Sequence, residues 1–519
     1  TEHTITIAER WESIKAVTDR LLANVGDDGL RWAKMLENIS DLPPEQRQKT
    51  TKQLSSCRDK ISNGRSEVWN QLRNTLSRHR SFPDANWVLP EQELKEIEEI
   101  YLLFQPQDTI GRFCWLFDKE WPDLLEGKKK DYKKAEQKVA QRRLEAVKEI
   151  RSEHGLEALI KLAEQTKNPW LVGIAVAQAD INPEEEQKLF SLLEDEDKDK
   201  VSFVQNYIFH RSLKEGDEWI STLVETARSQ QWPEPKTINL FVSFPQRRAV
   251  WDLLKSFDQV IQKSYWRQCT VRLFDLSVED KIYALKQLLH VKRHFTALYN
   301  GALLVKEIPA DLIVELLQKA ATEESKEDFR IQSYDVETLF EALDKPADIE
   351  EEKIARLEWL YLPILAGVGS RRPPKVLHKE LSNNPEFFAE VIKCVYKPRN
   401  EDRKEEEHQL SQELLKQRAD SAWKLLYTWK TVPGSDEKGK IDYEKLEVWV
   451  NKARELCGKL DRKEVGDSHV GRVLAYAQSE EEGIWPPEAV CKIIYKVQSD
   501  ELDNGFSVEI YNKYGFGIS

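Results

Sequence analysis

Residues 144–175 read LEAVKEIRSEHGLEALIKLAEQTKNPWLVGIA, and this stretch decides the fold. Leu144, Val147 and Ile150 recur at three-residue steps, which places them on one face of an α-helix. His154-Gly155 interrupts the pattern, and Leu156, Leu159, Ile160 and Ala163 restart it. Asn168-Pro169 then opens a third helix through Trp170, Leu171, Ile174 and Ala175, since Asn caps well and Pro suits a first helical position. Three amphipathic helices separated by two short breaks cannot bury their apolar faces alone. They must stack.

The same pattern extends in both directions. Leu94, Ile97, Tyr101 and Phe104 form a stripe after Pro90, and Leu446, Val450, Ala453 and Cys457 form another. Ser277 with Asp280 reads as a capping box ahead of Ile282, Leu285 and Leu289. Short breaks such as Asp41-Leu42-Pro43-Pro44, Ile181-Asn182-Pro183 and Ile308-Pro309 separate the stripes. The fold class this predicts is all-α: an irregular α-solenoid of stacked antiparallel helix pairs, without the strict period of a consensus repeat. Residues 238–244 and 506–511 are the only weak strand candidates.

Composition agrees. Among 519 residues there are only 20 Gly and 21 Pro, against 33% charged side chains, which excludes collagen, low-complexity disorder and a turn-rich β-sandwich. A formal net charge of −13 disfavours a general polyanion binder. Six cysteines are scattered with no CxxC pair, as in a reducing cytoplasm. Glu2, Glu9, Arg10 and Glu12 occupy the place of a signal-peptide core. The longest uncharged apolar run, residues 359–369, is far short of the ~20 residues a membrane span needs. The expectation is a soluble cytoplasmic chain that spans no membrane. It starts at Thr1 without Met and ends at Ser519, which reads as a piece of a longer polypeptide.

Two charged stretches suggest joints. Residues 127–143 hold Lys128, Lys129, Lys130, Lys133, Lys134, Lys138, Arg142 and Arg143, with Tyr132 the single interleaved aromatic, and residues 401–420 are almost wholly polar. Both read as a solvated helix face or linker, with a nucleic-acid contact as the alternative for the first. The regions expected are an N-terminal helical region 1–126, a helical-repeat region 127–400 and a truncated C-terminal helical region 401–519.

Catalytic motifs are weighed and set aside. Gly434-Ser435-Asp436-Glu437-Lys438-Gly439-Lys440 matches the start of a phosphate-binding loop, but Ile441 replaces the hydroxyl that would ligate Mg²⁺ and no strand leads in. It reads as an inter-helix loop. His290 and His294 have metal-ligand spacing but no third ligand. Asp123 and Glu126 echo a nuclease motif with the acids too close together. Arg73 with His79 resembles the cation–imidazole spacing of helical ribonucleases. No cofactor or metal is expected, and the chain reads as a non-enzyme.

Several longer strings carry a family resemblance. Residues 82–90 (FPDANWVLP), Cys114-Trp115-Leu116-Phe117, residues 357–363 (LEWLYLP), residues 377–381 (LHKEL) and Pro385-Glu386-Phe387-Phe388 resemble the middle of very large bacterial proteins. Trp449-Val450, Ala453-Arg454, Gly471, Leu474-Ala475, Gly483, Trp485-Pro486, Gly505-Phe506 and Tyr511-Asn512 continue the likeness, which covers most of residues 65–512. The chain thus resembles the C-terminal helical region of bacterial antiphage proteins of the signal-transducing NTPase type. The resemblance implies a sensing or scaffolding role. Its partner would be a protein, either a phage component or the chain's own effector domain. A helical ribonuclease or nucleic-acid-binding module is the alternative. In that family an Arg-Gly pair follows the terminal Asn, whereas Lys513-Tyr514-Gly515 follows Asn512 here. Within the chain, Arg371-Arg372 before Pro373-Pro374 reads as a surface turn whose guanidiniums grip a carboxylate-rich partner and whose removal barely moves stability.

Overall fold

The computed structural model describes residues 7–61, 63–126, 132–322, 332–344, 349–366, 369–396, 412–429, 431–436 and 440–480. Among the described residues every regular element is helical; one isolated antiparallel bridge joins Ser435 and Ile441, and there is no strand. The all-α expectation holds, with helices packed in sequential pairs as in a helical array. The chain divides into two compact units, Thr1–Thr270 and Val271–Ser519.

In the first unit the deciding stretch behaves as its pattern dictates. The helical run Tyr132–Gln165 is interrupted at Gly155, whose φ of 72° and ψ of −169° lie outside the helical region, so two helices meet at the Gly break. Val147, Ile150, Leu159, Leu162 and Ala163 are fully buried. Helix Pro169–Gln178 follows and packs on Tyr132–Gln165 and on Lys198–Glu215. Its N-cap Asn168 makes no capping bond; instead its amide donates to the Asp118 carbonyl at 2.8 Å, tying the turn to an earlier loop. The contact with Lys198–Glu215 is backbone-close at Gly173, where a Cβ would run into the Phe203 carbonyl oxygen and lie 2.9 Å from Tyr207 N. Only glycine fits there.

Residues 238–244 are not a strand. They lie almost wholly within helix Glu234–Ser243, which starts on Pro233 and buries Thr237, Ile238, Leu240 and Phe241. Burial against Lys198–Glu215 and Gln259–Gln268 outweighs the β preference of Ile238 and Val242. The other candidate, 506–511, lies outside the described residues. The Ile181-Asn182-Pro183 break holds a full capping box: Asn182 Oδ1 accepts Glu185 N–H at 2.9 Å and Glu185 accepts Asn182 N–H at 3.1 Å.

The second unit repeats the scheme. Val278–His290 packs on His294–Leu303, and Glu351–Leu360 on Lys375–Asn383. Pro385–Val395 packs on both Gln412–Thr428 and Tyr443–Lys459. Its core centres on Phe388, whose ring lies 5.4 Å from Trp429 and 5.2 Å from Trp449, with Leu446, Val450, Ala453 and Cys457 buried in the same cluster. Among the described residues no helix is long and apolar enough to cross a membrane.

Candidate functional site

Arg73 and His79 both lie on helix Arg65–Ser81. Six residues turn the helix by about 600°, so the two side chains leave on different faces. His79 is buried; its Nδ1 accepts the Leu89 N–H at 3.2 Å, which leaves the ring proton on Nε2, 2.8 Å from Ser40 Oγ. Burial first, and then the charges of Arg78 and Arg47, push its pKa below the ordinary value. This is a neutral imidazole bonded at both nitrogens. Arg73, 5% exposed, donates to Asn70 Oδ1 at 2.5 Å and lies 3.7 Å over the Trp115 ring. Burial lowers its pKa to about 10, and its Nε has no acceptor. The structure does not bring the pair together.

The remaining motifs have structural roles. His290 ends helix Val278–His290, while His294 begins helix His294–Leu303, with Lys292 at φ 64° between them. They do not share a helical face, and among the described residues no group of three or more His, Cys, Asp or Glu is placed to hold a metal. Glu126 is engaged by Arg142 at 2.9 Å and Lys138 at 3.5 Å, and Asp123 by Lys119 at 3.3 Å. Arg143 donates to the carbonyls of Leu116, Lys119 and Glu120, so the C-terminal end of the lysine-rich run is occupied within the fold. Lys128, Lys129 and Lys130 lie outside the described residues. Of the 434–440 segment, 437–439 lie outside the described residues; its described ends fall between helix Gln412–Thr428 and helix Tyr443–Lys459, where Asp436 N donates to the Lys440 carbonyl and Asp442 N to the Gly434 carbonyl, both at 2.9 Å. An inter-helix loop is what the sequence indicated.

Arg371 and Arg372 part company. Arg371 is half-exposed, donates from Nε to Glu337 at 3.1 Å and lies 4.4 Å over the exposed Tyr334 ring. Arg372 is 1% exposed, which corrects the surface-pair reading. Its guanidinium forks onto both oxygens of Asp344, with Nε donating at 3.1 Å, and also donates to Glu358, which is wholly buried. Glu358 accepts the Leu377 N–H at 2.6 Å as well. Two adjacent arginines are seldom buried unpaired; here the buried one is fully paired. The burial of Asp344 alone would raise its pKa, but the hydrogen bonds and charge of Arg372 outweigh it and hold that carboxyl below the usual range.

Two features escaped the sequence reading. One is a cleft of about 320 Å³ in the first unit, with Trp69, Tyr101, Phe113 and Trp115 as aromatic walls and Arg112 and Glu149 among its charged groups. Its residues come from 69 to 149, so no local motif could announce it. The other is the pair Trp423 and Tyr427, one turn apart on helix Gln412–Thr428. Their rings stack at 5.2 Å and 11° while 47% and 61% exposed. An i, i+4 aromatic pair beside the buried stripe Ala422, Leu425 and Leu426 was the available signal.

No family model, no curated protein and no solved structure matches the chain. The resemblance to antiphage helical regions thus stands on the quoted residues alone.

Proposed function

We propose that the chain is a non-enzymatic recognition and scaffold region that captures a protein partner, with Trp423 and Tyr427 as its anchor. The observation that carries this is the stacked pair itself. Tryptophan and tyrosine dominate the binding energy of protein interfaces, and a pre-stacked pair presents a large apolar surface with little rotamer freedom left to lose. Arg371, half-exposed over Tyr334, supplies a second contact of the type interfaces favour. Arg73 and His79, the best catalytic candidates, are held by packing and backbone. The family resemblance gives the setting: bacterial defence, with a phage component or the chain's own effector domain as partner. A photoreactive amino acid placed at position 427 tests this in lysates of phage-infected and uninfected bacteria. A discrete protein adduct at 427, absent when the same residue is placed at the buried position 446, is expected. Failure to form any adduct at 427 in either lysate defeats the reading.

A further inference from the structure

His79 joins three segments of the first unit. It stands in the last turn of helix Arg65–Ser81 and is 1% exposed. Its Nδ1 accepts the Leu89 N–H at 3.2 Å, and its Nε2 lies 2.8 Å from Ser40 Oγ on the 3₁₀ turn Ile39–Asp41. Between His79 and Leu89 runs a largely exposed loop. Two of its bonds close on the loop itself, from Ala85 N to the Phe82 carbonyl at 3.0 Å and from Val88 N to the Ala85 carbonyl at 3.1 Å. The Leu89 bond ties its far end back to the helix. Trp87 packs on the same imidazole, T-shaped at 5.3 Å, with Phe82 at 5.9 Å and the Arg78 guanidinium 4.9 Å over its ring.

A second proton on the imidazole would undo this arrangement. Nδ1 accepts only while it is unprotonated, and an Nδ1–H would face the Leu89 N–H donor to donor. The charges that bear on the ring are both cationic: Arg78 on its own helix and Arg47 on helix Pro44–Cys57. Arg47 already holds Glu93 of helix Glu91–Phe104 at 2.9 Å. The carboxylates of the turn and the loop, Asp41 and Asp84, belong to exposed residues. An imidazolium here would therefore lose one bond and meet two repulsions, in a buried place where charge is unfavourable. The helix is held, because Thr75, Leu76 and Ser77 are buried, whereas residues 82–84, 86 and 87 are exposed. The loop is the part free to yield.

We propose that His79 is a proton-operated latch on residues 82–90: the neutral ring holds Leu89 and seats Trp87, and the imidazolium releases both. Burial, Arg78 and Arg47 all favour the neutral ring. The closed state is thus fully held above the ordinary histidine value of about 6.5 and is lost as pH falls below it. The latch lies in the other unit from Trp423 and Tyr427 and does not depend on the recognition reading.

Fluorine NMR of the full chain tests this, with 5-fluorotryptophan placed at position 87 or, as a control, at the buried position 32. On acidification the resonance at 87 should move with a midpoint below about pH 6.5, while the signal at 32 and the helical circular dichroism stay unchanged. His79→Gln keeps an acceptor for Leu89 and a donor for Ser40 but cannot take the proton, so its resonance at 87 should stay in place. Hydrogen exchange of the parent gives a reading that needs no variant. The protection of residues 82–90, corrected for the intrinsic effect of pH, should fall about tenfold per pH unit below the midpoint, the slope of one proton. The latch is overturned if the resonance at 87 moves only as the helical signal is lost, if it moves equally in a folded His79→Gln chain, or if that protection does not change with pH.

Discussion

Arg372 has its planar fork on Asp344 and Glu358 inside the protein, where an unpaired charge is very unfavourable. Arg372→Ala would leave Glu358 buried without its counter-charge and should cost about 3–5 kcal/mol in urea denaturation. Arg371→Ala, next along the chain but half in solvent, should stay within about 1 kcal/mol. Equal effects from the two substitutions would contradict this division. His378 gives a pH handle. Burial lowers its pKa to about 4, so below pH 6.5 the unfolded chain takes up a proton that the folded ring refuses. Its contribution is fully present above pH 6.5 and is lost as pH falls from 6.5 toward 4, on the order of 2–3 kcal/mol. Stability measured against pH should flatten in that window for His378→Gln relative to the parent; an unchanged slope would remove His378 from the account.

Elements show how far sequence patterns carry. The stripe Leu446, Val450, Ala453, Cys457 was legible because helical burial repeats locally, and every member is buried. The break at Gly155 was legible because few residues adopt its positive φ. Arg372 was misplaced because its partners, Asp344 and Glu358, lie 28 and 14 residues away, and nothing in the tetrapeptide Arg371-Arg372-Pro373-Pro374 encodes them. The cleft was invisible for the same reason, its lining residues being scattered between Trp69 and Glu149. Residues 238–244 were ambiguous because a short apolar run reads equally as strand or buried helix. Helix pairing also makes one sharp demand: Gly173 lets Pro169–Gln178 touch the backbone of Lys198–Glu215. Gly173→Ala, usually favourable in a helix, should here destabilise by about 1–3 kcal/mol, read from thermal or urea unfolding. A neutral or stabilising effect would show that the two helices are farther apart.

At the scale of the whole chain, one aromatic cluster of the first unit holds Trp32, Trp69 and Phe104, and one of the second holds Phe388, Trp429 and Trp449. The recognition proposal rests on where aromatics are not buried. Among the described residues eight tryptophans, Trp32 and Trp429 among them, are buried, whereas Trp423 stacks on Tyr427 with both rings substantially exposed. Trp423→Ala with Tyr427→Ala tests the recognition claim most directly, by the affinity of the purified double variant for the partner cross-linked at position 427. The account predicts at least a tenfold weaker complex, about 1.4 kcal/mol or more, with the helical circular dichroism intact. An undiminished affinity in a folded double variant would contradict it.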